Sequence, residues 1–276
     1  MNPIDFDRAF ASYAHAWAHE RMKTEKNLDR IEAEMPDLYR KWLKLPADFL
    51  DGVSPEAYFA RYETPEALIG LMREYQAAGI AMPEALLERM GELGQAAASP
   101  ITALAADEHT DAALRMTALN LLIELESEEP MALCLRLIDR RAREDELADV
   151  AAELLSALGA RAVNPMLERL DTASDDALDT YLDLLCNFPG DERIYKLTVE
   201  RFLRLADQRA LYANLLAKLG DERALEPLRR VLSLSDLGYL DYLEVVNAIE
   251  ALGGEPPAGD RSFDGDPAYE SLKNLN

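Results

Sequence analysis

The chain has 276 residues, of which 49% are hydrophobic and 29% are charged, and its formal net charge is −23. This balance excludes an intrinsically disordered chain, and no apolar stretch approaches the roughly 18 residues of a membrane span. Phosphate-binding surfaces need clustered Lys and Arg, so the acidity argues against nucleic-acid and membrane-lipid partners. Ala, Leu and Glu dominate while aromatic residues make up only 7%, which favours helices.

Residues 1–80 form the first region. The start, "MNPIDFDRAF", lacks the basic-then-apolar order of a signal peptide. Two series of apolar residues then recur every three or four positions, as on one face of a helix: Phe6, Phe10, Tyr13 and Trp17, then Leu28, Ile31, Met35, Leu38 and Trp42. "SPEAYFARY" and "TPEALIGLMREYQAAGI" each begin with a capping residue and a proline. We predict four or five helices that form an irregular N-terminal cap.

The stretch "LGDERALEPLRRVL", Leu219 to Leu232, shows how the following region is built. Gly220 stands where the end of a helix needs a left-handed residue, a conformation that glycine adopts without steric cost. Asp221 is suited to cap the next helix, and Pro227 is tolerated near its beginning. The motif therefore predicts that one helix ends, the chain turns tightly and another helix starts.

This motif recurs along the chain. Glycine, or a glutamate in its place, follows an apolar run at Gly94, Glu126, Gly159, Gly190, Gly220 and Gly253. The steps between these positions are 32, 33, 31, 30 and 33 residues, a period typical of solenoids built from helix pairs. We expect helices to end at the five glycines.

The pattern Gly-Asp-x-Arg-Ala-x-x-Pro-Leu, a leucine-rich helix, an acidic turn and a second helix ending in Leu-Gly resembles the short HEAT-like repeats named after phycobilin lyases. The resemblance covers residues 81–257 and implies an all-α, right-handed superhelix of about five to six helix pairs. The apolar-Arg pair common in that family is kept at Leu114-Arg115. It is absent from the units that contain Val150-Ala151, Tyr181-Leu182 and Leu211-Tyr212.

The C-terminal segment, residues 258–276, is rich in Gly, Pro and Asp, so we expect an irregular tail without a long helix. Its aromatic residues, Phe263 and Tyr269, predict that the tail packs back against the repeats.

Residues with known chemistry do not form a recognisable active site. Cys134 and Cys186 each lie in an apolar helical pattern and are expected to be buried, reduced thiols, as in a cytoplasmic protein. His15 and His19 share a helix face but lack a third ligand, and Asp264 and Asp266 lack the further ligands of a calcium loop. There is no phosphate-binding Gly-rich loop and no Gly-x-Ser-x-Gly motif. We therefore predict no catalytic residue, cofactor or metal site.

A polar residue recurs at one position of each second helix. We call this set the polar column: Asn120, Glu153, Asp183, Asn214 and Asn247. It resembles the asparagine ladder of armadillo-repeat proteins, in which side-chain amides hold the backbone of an extended peptide, and an amide can both donate and accept. The alternative is that the column members bond to each other within the scaffold. Tyr181 and Tyr212, two residues before column members, are candidates for additional contact with a ligand.

The favoured function is a non-enzymatic adaptor that binds a protein or peptide on an acidic concave surface, since solenoids present extended binding surfaces. Negative charge would favour a basic segment. Two alternatives remain: a HEAT-like enzyme or enzyme subunit, such as a tetrapyrrole lyase, and a structural member of a larger assembly.

Overall fold

The computed structural model describes residues 3–255 and 261–273, which form α-helices and short 3₁₀ turns and contain no strand. This confirms the all-α prediction. The chain divides into two compact units, the first comprising residues up to Leu137 together with Asp145–Leu158. Its helices are α1 (Phe6–Arg21), α2 (Leu28–Ala33), α3 (Met35–Leu43), α4 (Pro65–Ala78), α5 (Glu84–Glu92), α6 (Ala98–Ala106), α7 (Ala112–Glu124), most of α8 (Met131–Asp139) and α9 (Glu146–Leu158).

The second unit comprises Ile138–Glu144 and the residues from Gly159 onward. Its helices are α10 (Ala160–Leu167), α11 (Asp175–Leu185), α12 (Glu192–Arg204), α13 (Arg209–Leu219), α14 (Leu225–Leu232), α15 (Tyr239–Ala251) and α16 (Pro267–Lys273). The sequence-based boundaries at residues 80 and 257 stay predictions, and residues 256–260 and 274–276 lie outside the described residues.

Helix ends follow the predicted motif at most positions. The repeated glycine position has positive φ at Gly94, Gly159, Gly220 and Gly253 (60°, 59°, 71° and 76°). Gly220 is a left-handed C-cap of α13, and Asp221 accepts a hydrogen bond from the backbone N–H of Arg223 at the next turn. The N–H groups of Gly220 and Gly253 donate to carbonyls in the last turn of the helices that they follow, as glycine at a helix C-terminus does. Gly159, with ψ of −131°, is the N-cap of α10.

The prediction that a helix ends at Gly190 is wrong. Helix α11 ends at Leu185, and Cys186 is its C-cap. Pro189 lacks a backbone N–H and disfavours helical conformation at Phe188, the residue before it. The helix therefore stops earlier, and Gly190, with φ of 141°, belongs to the connection that precedes α12.

Glu126 occupies the repeated glycine position with φ of 50°, a left-handed conformation that costs a residue with a Cβ about 1–2 kcal/mol. We expect Glu126→Gly to raise the free energy of unfolding by about 1 kcal/mol, since glycine removes this cost. Urea denaturation followed by circular dichroism measures it. Glu124→Gly, within the last turn of α7, is the control and is expected to destabilise by about 1 kcal/mol; equal effects of the two substitutions would contradict the conformational explanation.

Side chains about one repeat apart satisfy carbonyls near helix ends. In the first unit, the side-chain amide of Gln95 donates to the Leu125 carbonyl over 2.8 Å. In the second unit, Arg193 donates to the carbonyl of Leu167, the last residue of α10, over 3.2 Å. These two bonds add polar connections between helices to the apolar contacts.

The C-terminal segment packs against α15, as predicted. The centre of the Phe263 ring lies 5.1 Å from the centre of the Tyr239 ring and 5.0 Å from that of the Tyr242 ring. The centres of the Tyr269 and Tyr239 rings are 5.1 Å apart. The Asp266 carboxylate accepts hydrogen bonds from the backbone N–H groups of Tyr239 and Tyr269, which lower its pKa. These contacts fix the tail to the start of α15 without a long helix.

Candidate functional site

All members of the polar column are exposed. In the first unit, Asn120 lies on α7 and Glu153 on α9, two helices that pack against each other. In the second unit, Asp183, Asn214 and Asn247 lie on α11, α13 and α15. The residue directly after each column member is buried: Leu121, Leu154, Leu184, Leu215 and Ala248. Each column member therefore lies on the exposed face of its helix, next to a position that faces the core.

This exposed face has the same pattern on each of these helices. The residue seven positions before the column member and the residue four positions after it are also exposed. Such positions share one face of a helix; Asp207 and Asn187 lie just outside α13 and α11. The preceding positions are Ala113, Glu146, Asp176, Asp207 and Leu240, and the following positions are Glu124, Ala157, Asn187, Lys218 and Ala251. We call these residues, with the column, the exposed stripes; Lys218 is their one basic residue, and carboxylates prevail.

The basic residue of the stripes is already paired. The Lys218 ammonium lies 2.8 Å from the Asp183 carboxylate and donates to the backbone carbonyl of Asp183 over 2.6 Å. This bond joins α13 to α11 in the second unit. Asp183 therefore connects two helices of the scaffold. The sequence suggests such a structural role for the whole column as the alternative to ligand binding.

The asparagine side chains differ from Asp183. Within the part of the chain that the structure describes, the side-chain amides of Asn120, Asn214 and Asn247 form no hydrogen bond to protein groups. Their positions on solvent-exposed faces leave a donor and an acceptor available on each amide. This arrangement does not match mutual bonding within a buried scaffold.

Tyr181 and Tyr212 do not have the placement predicted from the sequence. Both rings are fully buried, at 0% exposure. The Tyr181 hydroxyl donates to Asp139 over 2.8 Å, and that of Tyr212 donates to Asp179. Burial raises the pKa of both hydroxyls. Each tyrosine precedes a column member by two residues, which places its side chain about 200° around the helix from that of the column member. The tyrosines therefore point to the core and offer no contact area to a ligand.

The cysteines are free and buried, as predicted. Burial raises the pKa of the Cys134 thiol to about 12 and that of Cys186 to about 11, so neither is a thiolate nucleophile at neutral pH. His15 and His19 are exposed on α1. No group of three His, Cys, Asp or Glu residues that could hold a metal ion occurs among residues 3–255 and 261–273.

The two Asp-Glu-Arg turns of the second unit have mutually satisfied charges. Arg223 lies 2.6 Å from the carboxylate of Asp221 and 2.9 Å from that of Glu192, one repeat earlier. Its guanidinium also stacks over the Tyr195 ring, 4.2 Å from the centre. The hydrogen bond from Arg223 lowers the pKa of both carboxyl groups. Through Arg223, the second of these turns is connected to the start of α12.

The sequence matches no known protein-family model, and no curated protein matches it. None of the described helices combines the length and the apolar character that crossing a membrane requires.

Proposed function

We propose that this chain is a non-enzymatic adaptor that holds an extended, basic peptide segment along its exposed stripes. The observation that carries the proposal is the exposed polar column, in which three asparagine amides have no partner among the described residues. A peptide backbone presents an N–H and a C=O at each residue, and each amide is able to pair with both. Within the second unit, the same polar position on α11, α13 and α15 suits an extended ligand that contacts several helices.

The charge of the stripes supports a basic ligand. Glu124, Glu146, Glu153, Asp176 and Asp207 are exposed there, and the Lys218 ammonium is already bonded to Asp183. Excess negative potential attracts Lys and Arg side chains and speeds their association, an effect that salt weakens.

The finer architecture belongs to the same proposal. We propose HEAT-like helix pairs in a right-handed superhelix whose concave side carries the polar column, and a cytoplasmic location. The buried free cysteines and the period of the positive-φ positions support these assignments.

Asn214→Ala tests the peptide-binding role. The probe is a fluorescein-labelled ten-residue peptide rich in Lys and Arg, and fluorescence anisotropy measures its Kd. We expect the substitution to weaken binding about fivefold, because losing a donor and an acceptor costs about 1 kcal/mol. The free energy of unfolding should change by less than about 0.5 kcal/mol, since a solvated amide contributes little.

Asn164→Ala is the matched control, because Asn164 is an exposed asparagine on α10 in the same unit. We expect it to leave both the Kd and the stability unchanged. A loss of about 1–3 kcal/mol of stability in Asn214→Ala would place this residue in the scaffold instead. Equal Kd values for the unaltered protein, Asn214→Ala and Asn164→Ala would contradict peptide binding by the column.

A further inference from the structure

A cavity of about 300 Å³ lies within the first unit, among its N-terminal helices. Part of its wall is aromatic, contributed by Phe6, Tyr39, Trp42 and Phe59, and Met82 adds an apolar side chain. The Tyr39 and Trp42 rings stack with centres 5.9 Å apart. This volume is at the lower end of the roughly 300–1,000 Å³ of small-molecule sites, so the cavity suits a compact group.

Four carboxylates surround this aromatic cavity. They come from separate segments: Asp7 from the first turn of α1, Glu56 from the connection before Phe59, and Glu84 and Glu88 from α5. The lining includes no Lys, Arg or His. In the described residues, none of these carboxylates forms an ion pair or a hydrogen bond through its side chain. All four residues are exposed to solvent, so their carboxylates add unpaired but solvent-screened negative charge beside the cavity.

The pKa of the Tyr39 hydroxyl responds to three of these carboxylates. Burial raises the pKa of this hydroxyl, and the negative charges of Asp7, Glu84 and Glu88 raise it further. Glu84 and Glu88 are four residues apart, so they lie on the same face of α5. Asp7 and Glu84 each lie in the first turn of a helix, where the helix dipole offsets part of the cost of gathering like charges.

We infer that this cavity, which we call the aromatic cavity, binds a quaternary ammonium group. Aromatic rings attract cations through their electron-rich faces, and the carboxylates provide long-range attraction. A lysine ammonium is strongly hydrated and loses its water at high cost. A methylated ammonium has an apolar outer surface that matches the cavity walls, and its single charge complements the carboxylates. The group can belong to a free choline-like molecule or to a trimethylated lysine of a protein.

This inference is independent of peptide binding by the polar column, because the cavity is built from other helices. Its walls contain no Cys, Ser, Thr or His that would act as a nucleophile or as a histidine base. The arrangement therefore points to recognition of a cation.

Trp42 provides the measurement. In a Trp17→Phe background, Trp42 is the one remaining tryptophan, so its emission reports on the aromatic cavity. Choline is titrated against its neutral isostere, 3,3-dimethylbutan-1-ol, which has the same shape without the charge. We expect choline to change the Trp42 emission in a saturable way, and to bind at least tenfold more tightly than the isostere.

The charge contribution is tested with the double variant Glu84→Gln/Glu88→Gln in the same background. We expect it to weaken choline binding at least tenfold while its circular dichroism spectrum stays unchanged. Glu66→Gln/Glu92→Gln is the control with the same change in net charge at residues that do not line the cavity, and it should retain the affinity within twofold. Equal weakening in both double variants would show a general charge effect and overturn the inference.

A trimethyl-lysine peptide and its unmodified counterpart complete the test. Tighter binding of the methylated peptide than of choline would identify a protein ligand, whereas tighter binding of choline would identify a free molecule; both support the inferred chemistry. Equal affinity for choline and its neutral isostere would reduce the site to an apolar cavity and overturn the inference. Absence of any saturable change in Trp42 emission with choline and with the methylated peptide would overturn it as well.

Discussion

Replacing Arg201 by leucine is expected to lower the free energy of unfolding by about 2–3 kcal/mol, because the half-buried carboxylate of Asp179 loses its cation. Arg201 lies on α12 with only 2% of its surface exposed. Its guanidinium is 2.6 Å from the Asp175 carboxylate and 2.9 Å from that of Asp179, and it donates to the Tyr212 hydroxyl. Denaturation in urea, followed by circular dichroism, measures the loss.

The network around Arg201 explains the size of this effect. Burial lowers the pKa of Arg201, but hydrogen bonds to Asp175 and Tyr212 and the charge of Asp179 raise it more, so the guanidinium stays charged. The Tyr212 hydroxyl donates to Asp179, so α11, α12 and α13 meet in this network. Leucine would leave Asp179, half-buried at 21% exposure, without its cation.

Two control variants distinguish the effect of removing the buried charge from the effect of any substitution on these helices. Tyr212→Phe removes one hydroxyl from the same network and is expected to cost about 1 kcal/mol. Arg204→Leu removes an exposed arginine from the same helix and should change stability by less than about 0.5 kcal/mol. If Arg201→Leu cost no more than Arg204→Leu, the network would not stabilise the fold.

Gly220→Val is expected to destabilise the protein by about 1–2 kcal/mol, because it forces a β-branched residue into left-handed backbone. Gly220 has φ of 71° and ψ of 18°, and no atom beyond its two chain neighbours lies within 4 Å of the position that a Cβ would occupy. The cost therefore comes from backbone conformation and not from a clash. The change in thermal midpoint and the urea denaturation curve both measure it.

Gly70→Ala is the control for this substitution. Gly70 lies inside α4 and is exposed, and a Cβ at this position would likewise meet no atom within 4 Å. Alanine in a helix interior should stabilise by about 0.5–1 kcal/mol. Opposite signs for the two substitutions are the expected result, and an unchanged stability of Gly220→Val would show that the turn does not require glycine.

The sequence predicted the fold largely through local rules. Left-handed backbone at a helix end depends on a few neighbouring residues, so the period at Gly94, Glu126, Gly159, Gly220 and Gly253 was readable directly. The end of α11 was missed because Pro189 acts on the residues before it, in competition with the glycine that follows.

The sites were harder to predict because they depend on tertiary contacts. Helical spacing placed the polar column on one face of each helix, and the same spacing directs Tyr181 and Tyr212 to the opposite side, toward the core. Arg201 shares the apolar face of Ile194 and Phe202, a spacing that indicates a buried arginine but does not identify its partners. The aromatic cavity joins residues 6–88, which no short motif connects.

Site-specific photo-cross-linking at Asn214 tests peptide binding by the polar column most directly. A benzophenone amino acid replaces Asn214 in cells that make this protein, and the same replacement at Asn164 is the control. We expect a covalent adduct at position 214 whose cross-linked segment is rich in Lys and Arg, and none at position 164. Adducts of equal yield at the two positions, or an adduct to an acidic segment at position 214, would contradict peptide binding by the column.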